Sequence, residues 1–281
     1  MQASTVTAWA IGFFIAGVAL ASIIPVPDFI VICSGFVVGL LAGCIVLDRR
    51  AGIIALWAGL LVFGILRTGS GPMHIPYIEY VVSPLEGVRD AFAANIARAL
   101  PEPHASYIAG ILVGAKTTIP YDLKDAFRKS GTSHILALSG YNVTIIASAL
   151  ESIIASTWFT AGFIFLFVLA TGAASSLVRA AIMGMVLLIA KNEKRSYSAP
   201  HALGLAVFAM LLFDPTLLVG DIGFQLSVAA TLGLIYFEKP FKKSLNFMPK
   251  SFGFRSALAS TLAAEAATLP LVLWYFGFFS P

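Results

Sequence analysis

The stretch RKSGTSHILALSGYNVTIIASALESII, residues 128–154, begins as a charged surface segment and ends as an apolar run of the kind that crosses a membrane. In its middle it places Ser139, Gly140, Tyr141 and Asn142 side by side, where a spanning helix would be uniformly apolar. Ser139 and Gly140 lower helix stability locally, and Asn142 can bond backbone groups left unpaired, so the span is expected to break near mid-membrane. Interrupted helices are tolerated where they line a cavity, and their half-helix N-termini favour anions. The competing reading is a continuous helix with Gly140 packed against a neighbour.

Working outward, the whole chain shares this apolar character. Its 281 residues are 59% hydrophobic and 11% charged, against about a quarter charged in an ordinary soluble domain. Mean hydropathy is +0.91. Such a composition excludes a soluble globular domain and makes the bilayer the organising solvent. The first apolar run lacks a small-residue cleavage pattern after a basic start and is read as a retained helix. Cys33 and Cys44 lie together in one apolar run, where they act as small buried hydrophobes and imply neither disulfide nor metal. No cofactor is expected.

Nine spans are expected, near 7–24, 29–47, 52–66, 133–154, 157–173, 175–190, 200–217, 221–237 and 256–278. The fold class is thus an all-α, multi-pass membrane protein with about nine transmembrane helices. Basic loops at 48–50, 191–195 and 238–255 all fall on one side if the N-terminus is cytoplasmic and the C-terminus external. Residues 67–132 form an external connection carrying short amphipathic helices. In it, Ser83, Pro84 and Glu86 predict a helix start by capping box. Val88, Phe92, Ile96 and Leu100 then predict an apolar face turned to lipid or to the bundle. A second amphipathic helix is expected in 121–131, and 104–115 is expected to be a re-entrant or buried helix too short to cross easily.

One motif reading is rejected and another is disfavoured. GILVGAKT at 110–117 has three residues between its glycines, and Ala115 precedes Lys116, so it is not a phosphate-binding loop; Gly110 and Gly114 are read as close-packing positions. His134 and Ser139 stand five apart and point in different directions on a helix, which disfavours an intramembrane hydrolase. The remaining polar set is Ser139, Gly140, Tyr141, Asn142 and Thr144 in the fourth span, Arg179 in the sixth, Gln225 and Ser227 in the eighth, and Glu265 in the ninth. A mid-bilayer charge costs about 2.5–3.5 kcal/mol even on the lenient insertion scale, so Glu265 is expected to face a partner or a water-filled cavity. Two readings stand for the set: lining of a path, or interhelical hydrogen bonding worth about a kcal/mol or less per group.

Four pieces in order resemble the competence domain of ComEC-type DNA-uptake channels: SGTSHILALSGYNVT at 130–144, RAAIMG at 179–184, DPTLLVGDIGFQLSVAATLGL at 214–234 and TLPLVLWYFGFFS at 268–280. The resemblance covers roughly 85–281. Family members often carry Leu-His after the Ser-Gly, where this chain has Tyr141-Asn142, so no imidazole role transfers. Longer members add an external OB-like domain and a C-terminal metallo-β-lactamase-like domain; residues 67–85 are too few for the first, and no HxHxD cluster stands for the second. The expected organisation is therefore 1–66 as N-terminal transmembrane helices, 67–132 as the external connection, and 133–281 as a competence-type channel domain, C-terminally incomplete or from a short member. The resemblance implies passage of single-stranded DNA through the membrane during natural transformation, without enzymatic activity. Other competence proteins would supply DNA binding, nuclease and motor functions. A small-solute transporter of inverted repeats is disfavoured, since no pair of interrupted spans recurs in the two halves. A fragment that only packs against a partner is the fourth alternative.

Overall fold

The computed structural model describes residues 3–23, 49–69, 71–73, 78–114, 148–150, 152, 154, 156–247 and 253–276. Every regular element among them is helical: α1 (Ala3–Ile23), α2 (Arg49–Gly69), α3 (Ile78–Ala99), α4 (His104–Val113), α5 (Thr157–Ala170), α6 (Ser175–Asn192), α7 (Ala199–Phe213), α8 (Leu217–Gly220), α9 (Ile222–Ser244), a 3-10 turn (Leu245–Phe247) and α10 (Phe254–Phe276). Among the described residues three helices are long and apolar enough to cross a membrane, within Thr5–Ile23, Ser175–Asn192 and Phe254–Phe276. Shorter apolar helices cover Leu56–Gly69, His104–Val113, Thr157–Ala170 and Ala199–Phe213. The expected second span, nearly all of the fourth, the helix at 121–131 and both cysteines lie outside the described residues.

The chain forms two compact units, one of residues 1–74 with 198–265, the other of 75–197 with 266–281. In the first, α1 and α2 pair closely. A Cβ on Gly17 would collide with the Leu61 carbonyl, and one on Gly64 with the Phe14 carbonyl, so glycine at both positions is what lets the two backbones meet. Phe13 stacks on Trp57 at a ring distance of 5.6 Å, Trp9 meets Trp57 tilted at 6.0 Å, and Phe14 meets Phe63 at 5.7 Å. Residue numbers rise together along both helices in these contacts, so α1 and α2 run parallel. Helix α7 follows the same direction, with Phe208 edge-on to Phe14 at 4.7 Å and Ile11 beside Gly204.

Arg67 closes this group at one end. Although only 7% exposed, it donates from Nε to the Leu212 carbonyl at 2.6 Å and from one Nη to the Phe213 carbonyl at 2.7 Å; its other Nη reaches the Gly71 carbonyl. The last carbonyls of a helix have no partner within it. A guanidinium with a rigid fork of donors satisfies two of them on α7 and one in the turn after α2, and its charge complements the helix dipole. Met73 N–H adds a bond to the Phe213 carbonyl at 2.8 Å.

In the second unit, α5 and α6 form an antiparallel hairpin. Ser156 caps α5 by accepting from Phe159 N–H at 3.4 Å, and a turn containing Gly172 (φ +83°) and Ala173 (φ +49°) separates the helices. Ile164, Val168, Leu177, Ala181 and Leu188 fill the seam between them. The short α4 presents buried small residues, Ala105, Ser106, Ala109 and Gly110, a face that permits close approach and includes the expected packing glycine. Glu102 closes its start by accepting from Ser106 Oγ at 2.8 Å. Gly114, expected to pack a helix, instead ends α4 in the left-handed conformation at φ +72°, with its N–H on the Gly110 carbonyl at 3.1 Å.

Helix α3 corrects a second expectation. It starts at Ile78, so Ser83 does not cap it and Pro84 lies inside. The proline ring has a helix-compatible φ, and its missing N–H removes only the bond to the Tyr80 carbonyl near the exposed start of the helix. The less exposed stripe is Val82, Leu85, Arg89, Ala93 and Ile96, at helical spacing. Arg89 donates to the Ala170 carbonyl at the end of α5 at 3.3 Å and pairs with Asp90 at 2.8 Å and Glu86 at 3.8 Å. Val88 and Phe92 stand on a different face, 68% and 50% exposed, so of the two expected surroundings the second unit does not provide the packed one.

Three substitutions test this packing. Gly17→Ala should destabilise the detergent-purified protein by about 1–3 kcal/mol because backbone must shift. Gly12→Ala, where a Cβ meets nothing within 4 Å, should be neutral or mildly stabilising. Arg67→Met should cost on the order of 2–4 kcal/mol, leaving helix-end carbonyls without their charged donor. Thermal unfolding measures all three, and an unchanged midpoint in Arg67→Met would refute the capping role.

Candidate functional site

The polar residues expected within spans fall into three groups. Ser139, Gly140, Tyr141, Asn142 and Thr144 lie outside the described residues. Arg179 belongs to the second unit, and Gln225, Ser227 and Glu265 to the first.

Arg179 sits in the first turns of α6. It is two residues from Leu177 and two from Ala181, both packed toward α5, so it lies on the opposite face of its helix. Partial burial keeps its charged head from open water.

Gln225 is built into a tightly bonded local structure. Asp214 Oδ1 accepts from Thr216 N–H at 3.0 Å and from Thr216 Oγ1 at 2.5 Å, making the turn that ends α7. Pro215 within that turn is fully buried. Asp221 Oδ1 accepts from Phe224 N–H at 3.0 Å and so caps α9, with Phe224 itself 2% exposed. One turn into α9, Gln225 Nε2 donates to the Leu218 and Val219 carbonyls at 2.9 and 3.1 Å. These are end carbonyls of α8, which is too short to satisfy them itself. The amide therefore ties α8 onto α9. The spacing from Asp221 to Phe224 N–H carries a capping signal readable in sequence; the long-range partners of Arg67 carry none.

Ser227 lies further along α9, and its backbone carbonyl accepts from Thr231 Oγ1 at 2.9 Å. Glu265 is exposed on α10, two residues beyond buried Ala263 and four beyond exposed Thr261. Thr261 Oγ1 bonds the Ala257 carbonyl at 3.0 Å, so Ala257, Thr261 and Glu265 make a stripe of small and polar residues along one side of a helix long and apolar enough to cross a membrane. A carboxylate at such a position requires water or a polar partner. Among the described residues, no group of three or more His, Cys, Asp or Glu is placed to hold a metal ion.

Comparison with known proteins bears on these residues together. ComE operon protein 3 of Bacillus subtilis (strain 168) is 31% identical over 189 residues, an alignment covering 64% of this chain and 24% of that protein. The chain thus spans about a quarter of the length of this relative. No solved structure matches. Residues 111–281 match the family described as Competence protein, a range that holds the Ser-Gly element, Arg179, the Asp214–Gln225 structure and Glu265. With more than half of its residues in that match, the chain belongs to the competence protein family.

Proposed function

We propose that this chain is a membrane channel domain through which single-stranded DNA crosses the cytoplasmic membrane during natural transformation. Family membership over 111–281 carries the reading, because that range contains every polar residue expected within the later spans. The path is lined by Ser139, Gly140, Tyr141, Asn142, Arg179, Ser227 and Glu265, with Gln225 beside it. The protein acts as a conduit rather than an enzyme, and other competence proteins supply DNA binding, nuclease and motor functions. A polyanion needs a wet path with fixed positive charge and aromatic faces for its bases, and Arg179 and Tyr141 answer to those needs. Exposure of Glu265 on a membrane-length helix supports a polar surface there.

Nine spans remain the topology proposed, with the N-terminus cytoplasmic. The parallel run of α1, α2 and α7 supports it, since the first, third and seventh spans must cross in one direction. Helix α3 then lies outside, its Val88 and Phe92 face against lipid headgroups and upper chains.

At Gln225 a second reading is favoured by its bonds to Leu218 and Val219: the amide joins helices rather than touching DNA. The two roles separate by experiment in a transformable host. Arg179→Glu should abolish DNA entry at a normal level of membrane-inserted protein, because a strand with one charge per phosphate responds strongly to fixed charge in a low-dielectric lumen; Arg179→Lys should be mild. Gln225→Leu should lower inserted protein and uptake in parallel. Normal uptake in Arg179→Glu at normal protein level would end the lining role of Arg179. Single cysteines at Lys194 and Lys239 should react only from the cytoplasm, and one at Ser83 only from outside; labelling of the first two from opposite sides would refute the topology.

A further inference from the structure

The end of the first unit where α9 meets α10 gathers cations, and among the described residues no carboxylate pairs with them. Lys239, Lys242, Lys243 and Arg255 stand within the last turn and a half of α9 and the first turn of α10, against a single acid, Glu238. Arg255 donates from Nε to the Lys242 carbonyl at 2.9 Å and also reaches Asn246 Oδ1, while Lys242 Nζ donates to Ser256 Oγ at 3.0 Å. These acceptors are neutral. The bonds fix the geometry without cancelling charge, and among the described residues none of the four cations is ion-paired with a carboxylate.

Aromatic surface accompanies the charge. Tyr236, Lys239 and Lys243 share one stripe of α9 by their three- and four-residue spacing, and Tyr236 is 60% exposed. Phe254, at the start of α10 and next to Arg255, is also exposed. A row of cations, two of them held in place by hydrogen bonds, with a ring one helical turn away matches what a single-stranded nucleic acid offers, phosphates along the backbone and base faces beside them. Anionic lipid headgroups offer the phosphates without the bases, so a stacking contribution distinguishes the two.

We propose that Lys239, Lys242, Lys243 and Arg255 bind the phosphodiester backbone of single-stranded DNA and that Tyr236 stacks on one of its bases. The ligand class rests on the channel reading, whereas the site does not depend on the lumen residues. Binding of a fluorescein-labelled oligothymidylate to the full chain in nanodiscs of purely zwitterionic lipid, followed by anisotropy over a salt series, tests it. Lys239→Gln with Lys243→Gln should weaken binding and flatten the plot of log affinity against log salt by about 1.4, some 0.7 per charge removed. Lys239→Arg with Lys243→Arg should bind as wild type. Tyr236→Ala should lose about tenfold in affinity and Tyr236→Phe little. Wild-type affinity and slope in the glutamine pair, with nanodisc incorporation intact, would overturn the proposal; so would a difference from wild type that appears only in a parallel series in nanodiscs containing anionic phosphatidylglycerol, which would assign the cations to headgroups. Arg179→Glu is the cross-check. If it leaves oligonucleotide binding intact but stops uptake, both readings stand. If uptake persists in Arg179→Glu while the glutamine pair loses binding, the lumen assignment fails and this site survives.

Discussion

A helix ending in a membrane protein leaves carbonyls that neither its own turns nor lipid can satisfy, and in the first unit Arg67 resolves that problem for two helices at once. Its guanidinium holds the last carbonyls of α7 and the turn after α2, so both helices end at one level. That level in turn sets the register in which Phe208 reaches Phe14 and in which Gly17 and Gly64 let α1 and α2 meet. Lysine has the charge but not the fork of donors, and could not bridge three carbonyls in fixed geometry.

The same economy of short-range polar bonds shapes the segment from Asp214 to Gln225. Two aspartates serve backbone N–H groups, one making the turn after α7 and the other capping α9, and Gln225 secures the four-residue α8. Residues that look like candidates for chemistry when read as a motif thus have structural partners within a few residues. Arg179 and Glu265 are the ionisable members of the set. Arg179 is partly buried on the face of α6 opposite Leu177 and Ala181, and Glu265 is exposed on α10 two residues from buried Ala263. An ionisable group within a membrane-length helix is a stronger functional candidate than an amide that ties one short helix to the next.

Helix α3 combines three surfaces: a packed stripe anchored by Arg89 on the Ala170 carbonyl, an apolar face of Val88 and Phe92, and a polar remainder that includes Ser83, Asp90 and Arg98. Under the proposed topology an interfacial position would satisfy all three surfaces, with the bond from Arg89 to the Ala170 carbonyl joining α3 to the end of a shorter apolar helix.

Much of this was legible in the sequence because hydrophobic runs and capping residues act locally. Seven of the described helices, α1, α2, α5, α6, α7, α9 and α10, fall where apolar runs at 7–24, 52–66, 157–173, 175–190, 200–217, 221–237 and 256–278 predicted them, and α9 runs on seven residues to Ser244. Four ordered motifs were enough to indicate the family. The start of α3 was misread because Ser83, Pro84 and Glu86 fit a capping box, while the preceding residues from Ile78 can also be helical and proline does not forbid that geometry. Gly114 was misread because a glycine suits close packing and a left-handed cap equally well. Tertiary structure alone decided that residues 1–74 join 198–265 and that Arg67 serves α7. It also decided that Gln225 spends its donors on α8 and that Val88 and Phe92 turn away from the packed stripe. Each depends on which backbone groups or faces meet across long separations in the chain, and no periodicity or spacing within a segment encodes that pairing.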